Sequence, residues 1–165
     1  MATEAETTVL RLLSEIELNG AAAAAKVMAL GNEGVTVLCD IALGSFPGLR
    51  PKLRLNAVAM LDEVNHPQAR ETLHLLVRDT NPDVSIRAVR ALGRLRDPDV
   101  VAALSQSLRQ PTLPPIVAAE TVRALTQIDS PDARNALTAY EAADPGALPH
   151  RAAPAVGEQL RGRAR

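Results

Sequence analysis

The segment Ile86-Arg-Ala-Val-Arg-Ala-Leu-Gly-Arg-Leu95 decides the fold that this sequence predicts. In a projection at 100° per residue its three arginines gather on one side of a helix. Its apolar side chains gather on the other side, and they are Ala88, Val89, Leu92 and Leu95. This is the pattern of an amphipathic helix that packs with one face, and it occurs again on both sides in the chain.

Two further segments match this helix in composition and spacing. Residues 55–61 precede it by 31 positions, and residues 119–125 follow it by 33. A polar residue and a proline follow each segment at the same offsets, as His66-Pro67, Asp97-Pro98 and Ser130-Pro131. Proline suits the first helical position, and the polar side chain before it can cap the free amides. The pattern predicts paired helices over 50–64 and 67–78, 82–95 and 98–109, and 114–128 and 131–143.

Weaker versions of the pattern extend to the amino end. Residues 26–30 resemble a first helix and residues 35–43 a second, which predicts a degenerate repeat. Thr3 and Glu6 have the spacing of a capping box ahead of an apolar stripe, which predicts an amino-terminal cap helix over 3–18. The last residues are rich in proline, glycine and arginine, with Arg151, Arg161, Arg163 and Arg165. They predict a flexible basic tail.

These segments together predict the division of the chain. A solenoid occupies 1–143, with the cap helix and degenerate repeat over 1–49, repeats over 50–80, 81–112 and 113–143, and the tail over 144–165. A fixed period of this length is typical of helical repeat proteins, in which each unit buries its apolar face against its neighbours.

The period near 31, the turn Asp97-Pro98-Asp99 and the segment 86–95 resemble HEAT repeats of the short PBS-lyase-like type. The resemblance implies an all-α, right-handed superhelix of the HEAT/armadillo kind, with about four hairpins and the cap helix. It also implies a scaffold or binding role, although some relatives attach tetrapyrroles to proteins and a related family excises alkylated bases. The repeats differ at the position of Arg87, where the others have Asn56 and Glu120.

Composition and charge argue against several classes of protein. The net charge is −1, which argues against a protein that binds polyanions with its whole surface. The one cysteine, Cys39, has no intrachain partner, and no apolar run is long enough for a membrane span. The first residues are acidic where a signal peptide is basic, so we expect a cytoplasmic protein without membrane association.

Two surfaces are candidates for binding a partner. Arg87, Arg90 and Arg94 share a helix face, and Arg123 occupies the Arg90 position one repeat later, which predicts an arginine patch on the outer layer. The second helices should line an inner groove, where we expect His74, Ser105, Arg78 and Arg109 to face a partner. For both surfaces, the alternative is a face that is exposed to solvent and binds no partner.

No motif for catalysis is found. The His and Cys residues have no metal-ligand spacing, no nucleophile motif or Gly-rich phosphate loop is present, and the chain has no Trp to stack on a flipped base. We therefore expect no enzyme activity, no metal and no cofactor, and a partner that is another protein. The alternatives are a nucleic-acid-binding accessory protein that uses the arginines and the tail, and a regulatory subunit of an enzyme such as a tetrapyrrole-attaching lyase.

Overall fold

The computed structural model describes residues 3–15 and 20–143. Within these ranges the chain forms α-helices, one short 3-10 helix and no strand. The helices are α1 (Glu4–Glu15), α2 (Gly20–Ala29), α3 (Gly31–Leu43), α4 (Pro51–Met60), α5 (Pro67–Leu76), α6 (Pro82–Arg94), the 3-10 helix Pro98–Val100, α7 (Val101–Leu108), α8 (Pro115–Ile128) and α9 (Pro131–Ala143). The predicted all-α class is confirmed, whereas the right-handed twist and the repeat borders stay predictions. The predicted tail over 144–165 and the end of the predicted cap helix lie outside the described residues.

The helical segments that begin at Pro67, Pro82, Pro98 and Pro131 each follow a polar residue that caps them. Each cap side chain accepts a hydrogen bond from a backbone N–H two or three residues ahead, and these caps are His66, Asn81, Asp97 and Ser130. Such a bond satisfies one of the amides that have no partner inside the helix. The second helix predicted over 98–109 differs in its first turn, which is the 3-10 helix, so that α7 itself is only eight residues long.

The amino-terminal helix α1 packs mainly on α3 and α4, and its role as a cap of the solenoid stays a prediction. The Thr3 N–H donates to Glu6 Oε2 at 2.8 Å, and the Glu6 N–H donates to Thr3 Oγ1 at 3.1 Å, so the predicted capping box is confirmed. The Asn56 side-chain amide donates to the Leu13 carbonyl at 2.9 Å. Asn56, which departs from the arginine of the later repeat, thus satisfies a carbonyl in the last turn of α1.

The helices form two layers. The first-helix layer contains α2, α4, α6 and α8, and the second-helix layer contains α3, α5, α7 and α9. Close contacts also cross from one hairpin to the next, where α3 packs on α4, α5 on α6 and α7 on α8. Between the layers lies an aliphatic core whose largest members are fully buried, among them Leu38, Met60, Leu73, Leu92, Leu104 and Leu125. Leu95, which the projection places on the core side, is 38% exposed because α6 ends at Arg94.

The most extensive helix contact is between α6 and α8, and Gly93 makes it possible. A Cβ atom on Gly93 would lie 2.9 Å from Ala124 Cα and 2.7 Å from Gln127 Oε1. Real Cβ atoms do not approach other atoms this closely, so the two helices would have to separate.

We expect Gly93→Ala to lower the free energy of unfolding by about 1–2 kcal/mol, because overpacking outweighs the better helix propensity of alanine. Urea denaturation followed by circular dichroism measures this change. Gly20→Ala is the control, since no described atom lies within 4 Å of the place that its new Cβ atom would take, and it should cause no loss. Equal stability of Gly93→Ala and the original chain would contradict the close packing.

Candidate partner-binding surfaces

The arginine patch lies on the first-helix layer, and its central member is bound to a carboxylate. Arg90 Nε lies 2.9 Å from Glu120 Oε2, and Arg90 Nη2 lies 2.7 Å from Glu120 Oε1, which is a bidentate pair between α6 and α8. Arg123 Nη1 approaches the same carboxylate at 3.9 Å. The hydrogen bonds from Arg90 lower the pKa of the Glu120 carboxyl and raise the pKa of Arg90 itself.

The outer members of the patch differ from each other. Arg94 forms an ion pair with Asp62, whose side chain is only 5% exposed and belongs to the turn after α4. Arg87 makes no ion pair with any described residue. The structure therefore brings the four predicted arginines to one layer. Arg90 and Arg94 bind carboxylates of neighbouring hairpins, whereas Arg123 approaches a carboxylate of its own helix. These two carboxylates neutralise about half of the positive charge of the four arginines.

We expect Glu120→Gln to lower the free energy of unfolding by about 1–2 kcal/mol at pH 7, because it removes the charge of a buried carboxylate that accepts two hydrogen bonds from Arg90. The pKa of Glu120 is lower in the folded chain than its ordinary value of 4.5. Its contribution is therefore complete above that pH and is lost as the pH falls through the lowered folded value.

Urea midpoints between pH 7 and pH 3 measure this effect. The curves of the original chain and of Glu120→Gln should converge at the acid end, while Glu63→Gln, at an exposed position, should follow the original chain throughout. Parallel curves for Glu120→Gln and the original chain would show that the pair does not stabilise the fold.

On the second-helix layer, His74 is held by a buried carboxylate. His74 Nε2 lies 2.9 Å from Asp97 Oδ2, and Arg70 Nε lies 3.7 Å from the same oxygen. Asp97 Oδ1 accepts the N–H of Asp99 and caps the helix that follows. The Asp97 side chain is 1% exposed, so one buried carboxylate joins α5 to the start of the next second helix. His74 thus joins two hairpins, and its side chain is also 32% exposed, so its contact with a partner stays a prediction.

We expect Asp97→Ala to lower the free energy of unfolding by about 1–3 kcal/mol, because the helix cap and the partner of His74 are both lost. Asp97→Asn retains the cap and should lie between Asp97→Ala and the original chain. Asp99→Ala is the matched control in the same turn, where the side chain is exposed. Thermal unfolding of the three variants ranks them, and an Asp97→Ala chain as stable as Asp99→Ala would refute the role of this carboxylate.

Arg78 and Arg109 occupy equivalent positions at the ends of α5 and α7, and neither faces an acid. Arg78 Nη2 donates to Gln106 Oε1 at 2.7 Å, and Arg109 Nη2 lies 3.4 Å from Ser105 Oγ. Both arginines are exposed. Within the described ranges no carboxylate lies within ion-pair distance of either one, so their charge is not neutralised by the fold.

Two depressions border α7. A groove of about 450 Å³ separates α7 from α9 and contains Ser105, Arg109, Ala102, Asn135 and Ala139 among its lining residues. A cleft of about 640 Å³ lies between the junction of α5 with α6 and the junction of α7 with α8. Arg78 and Gln106 stand at the second depression, so α7 with its polar side chains forms the ridge between the two.

A family model for HEAT repeats matches residues 35–119, which is just over half of the chain. The chain belongs to the HEAT-repeat family. HEAT repeats generally mediate contacts between proteins and are typically non-enzymatic. No curated protein matches the chain.

The described part of this HEAT-repeat chain also bears on reactive thiols, metal sites and membrane-spanning helices. Cys39 is 1% exposed, and burial raises the pKa of its thiol. Among residues 3–15 and 20–143 no three His, Cys, Asp or Glu side chains are grouped so that they could hold a metal ion. No helix in the same ranges has the length and apolar character needed to cross a membrane.

The pattern of the HEAT repeats did not predict the contacts of three residues at these surfaces. Glu120 and Asp62 bind arginines that are 30 and 32 residues away, which is about one repeat. An acidic residue about one repeat length from an arginine is a sequence pattern that could have predicted these ion pairs. Gln106 was missed because an uncharged side chain gives no such signal.

Proposed function

We propose that this chain is a non-enzymatic HEAT-repeat adaptor or scaffold that binds a partner protein through its second-helix layer. The observation that carries the proposal is the contrast between two pairs of arginines, one pair on each layer. Arg78 and Arg109 present charge that the fold does not neutralise, whereas Arg90 and Arg94 already bind carboxylates. Charge without an internal partner is available for the electrostatic complementarity that steers and orients protein association.

The groove between α7 and α9 supports the same proposal. Its exposed side chains are short, with Ala102, Asn135 and Ala139 facing solvent. Short side chains allow the backbone of a partner to approach the two helices closely, and Ser105 adds a hydroxyl that donates and accepts hydrogen bonds. A groove of this kind suits a helix or an extended segment of another protein.

The alternative functions have less support. Nucleic-acid binding through the arginine patch would use Arg90, Arg94 and Arg123, and each of these already lies beside a buried carboxylate. Releasing them to phosphates would leave Glu120 and Asp62 buried without a partner, which is costly. A role as regulatory subunit of a tetrapyrrole-attaching lyase would be one case of the proposed protein binding.

We expect the double substitution Arg78→Glu with Arg109→Glu to weaken binding of the native partner by roughly tenfold or more, because it reverses two charges at the interface. The partner is first identified by affinity purification of the full chain from its own cells. It is then produced separately, and its affinity is measured by surface plasmon resonance.

Arg87→Glu provides the matched control, because it reverses an arginine of the first-helix layer that also makes no ion pair with a described residue. It should leave the affinity unchanged. Unchanged affinity in the double variant would refute the assignment to the second-helix layer. A loss of affinity in Arg87→Glu alone would indicate that the partner binds the arginine patch instead.

A further inference from the structure

We infer that the second-helix layer recognises an acidic, extended segment of its partner, whose carboxylates bind Arg78 and Arg109 across the carboxyl-terminal ends of α5 and α7. The inference rests on the proposed function and adds the chemistry of the partner. Its strongest basis is that these two guanidinium groups lie on one edge and contact only uncharged side chains within the described part of the chain.

Other arginines of the second-helix layer show that this arrangement is not general. Arg70 lies 3.7 Å from Asp97, and Arg134 lies 3.1 Å from Asp129. Arg78, by contrast, donates to a neutral amide oxygen, which orients the guanidinium and leaves its charge in place. A carboxylate can therefore take the remaining donors of this group, and the planar fork of arginine favours a bidentate contact.

The position of the two arginines suits an extended chain. Arg78 donates to Gln106, which precedes Arg109 by three positions, so both arginines lie beside the carboxyl-terminal part of α7. An extended chain advances about 3.3 Å per residue, so acidic residues two to four positions apart are separated by about 7–13 Å. The flexible side chains of Arg78 and Arg109 can accommodate this range. Both cations can then bind one segment that crosses α7.

The cleft beside Arg78 supplies partners for the backbone of such a segment. Its uncharged polar lining includes Gln106, Ser107, Gln110 and Thr112, which offer both donors and acceptors. The one acid in this lining, Asp79, is bound by Arg54 through both carboxylate oxygens. The cleft therefore presents amides, hydroxyls and a free guanidinium, with no unpaired negative charge to repel an acidic segment.

The opposite end of the α7–α9 groove defines the path of the segment. Asp99 and Asp132 line that end, at the starts of the two second helices. Asp99 precedes Arg109 by ten positions, which is about 15 Å along a helix. An acidic segment is repelled there and attracted at the arginine end. The acidic segment should therefore cross the ends of α5 and α7, and the groove itself would hold another part of the partner.

Fluorescence anisotropy with a defined peptide tests this inference on the full chain. The probe is a fluorescein-labelled nine-residue peptide in which glutamate alternates with alanine, so that carboxylates occur at both favourable spacings. The comparison peptide has glutamine at every glutamate position. We expect the glutamate peptide to bind and the glutamine peptide to bind at least tenfold more weakly, and we expect Arg78→Gln and Arg109→Gln each to weaken binding roughly three- to tenfold.

Arg87→Gln is the matched control and should bind the glutamate peptide as the original chain does. Circular dichroism of each variant verifies that it is folded. The inference is overturned if the glutamate peptide does not bind, if Arg87→Gln weakens binding as much as Arg78→Gln, or if a labelled oligothymidylate of equal charge binds as tightly. In that last case the surface recognises negative charge of any kind.

The result of the peptide experiment can be distinguished from the result that tests the proposed function. Loss of the native partner in the Arg78→Glu and Arg109→Glu double variant, together with no binding of the glutamate peptide, would retain the adaptor role and reject an acidic segment. Peptide binding that depends on both arginines, with unchanged affinity for the native partner, would support the acidic site and reject its role in the adaptor.

Discussion

The burial of aliphatic side chains between stacked hairpins is the constraint on which this structure depends. A single pair of short helices has too little apolar surface to offset the entropy of ordering its chain, so each pair must pack against the next. The contact of α6 with α8 shows how strict this requirement is, because Gly93 leaves no room for a Cβ atom against Ala124. The core has almost no aromatic side chains, so its stability depends on close approach of the helices.

Close stacking also places polar groups one repeat apart in contact. Glu120 with Arg90, Asp62 with Arg94 and Asp97 with His74 each join two hairpins that are distant in sequence. These carboxylates are nearly buried, and desolvation offsets much of their attraction to the cations. Their clearest effect is on orientation, because a bidentate pair or a bonded helix cap tolerates only a narrow range of positions between neighbouring helices.

The same contacts divide the arginines of the surface into two groups. Where arginines bind nearly buried carboxylates, as Arg90 and Arg94 do, the ion pairs hold neighbouring hairpins together. Where they contact only amides and hydroxyls, as at Arg78 and Arg109, the charge faces outward. Membership of the HEAT-repeat family agrees with a binding role, and the contrast between the layers is the reason to propose the second-helix layer for it.

The sequence by itself determined the helices, their order and the family. The prolines at helix starts and caps such as Ser130 act over a few positions, and the period of 31 to 33 residues is visible when the sequence is compared with itself. All three can therefore be seen without knowledge of the tertiary structure. Only the tertiary structure decided which charges remain free. A helical projection places Arg90 and Arg109 alike on exposed faces, but Arg90 meets Glu120 from the next hairpin and Arg109 meets no acid among the described residues. The projection likewise placed His74 toward a partner, whereas Asp97 holds it from 23 positions away. The physical reason is that helix formation depends on local backbone bonds, while the pairing of a side chain depends on which hairpin packs beside it.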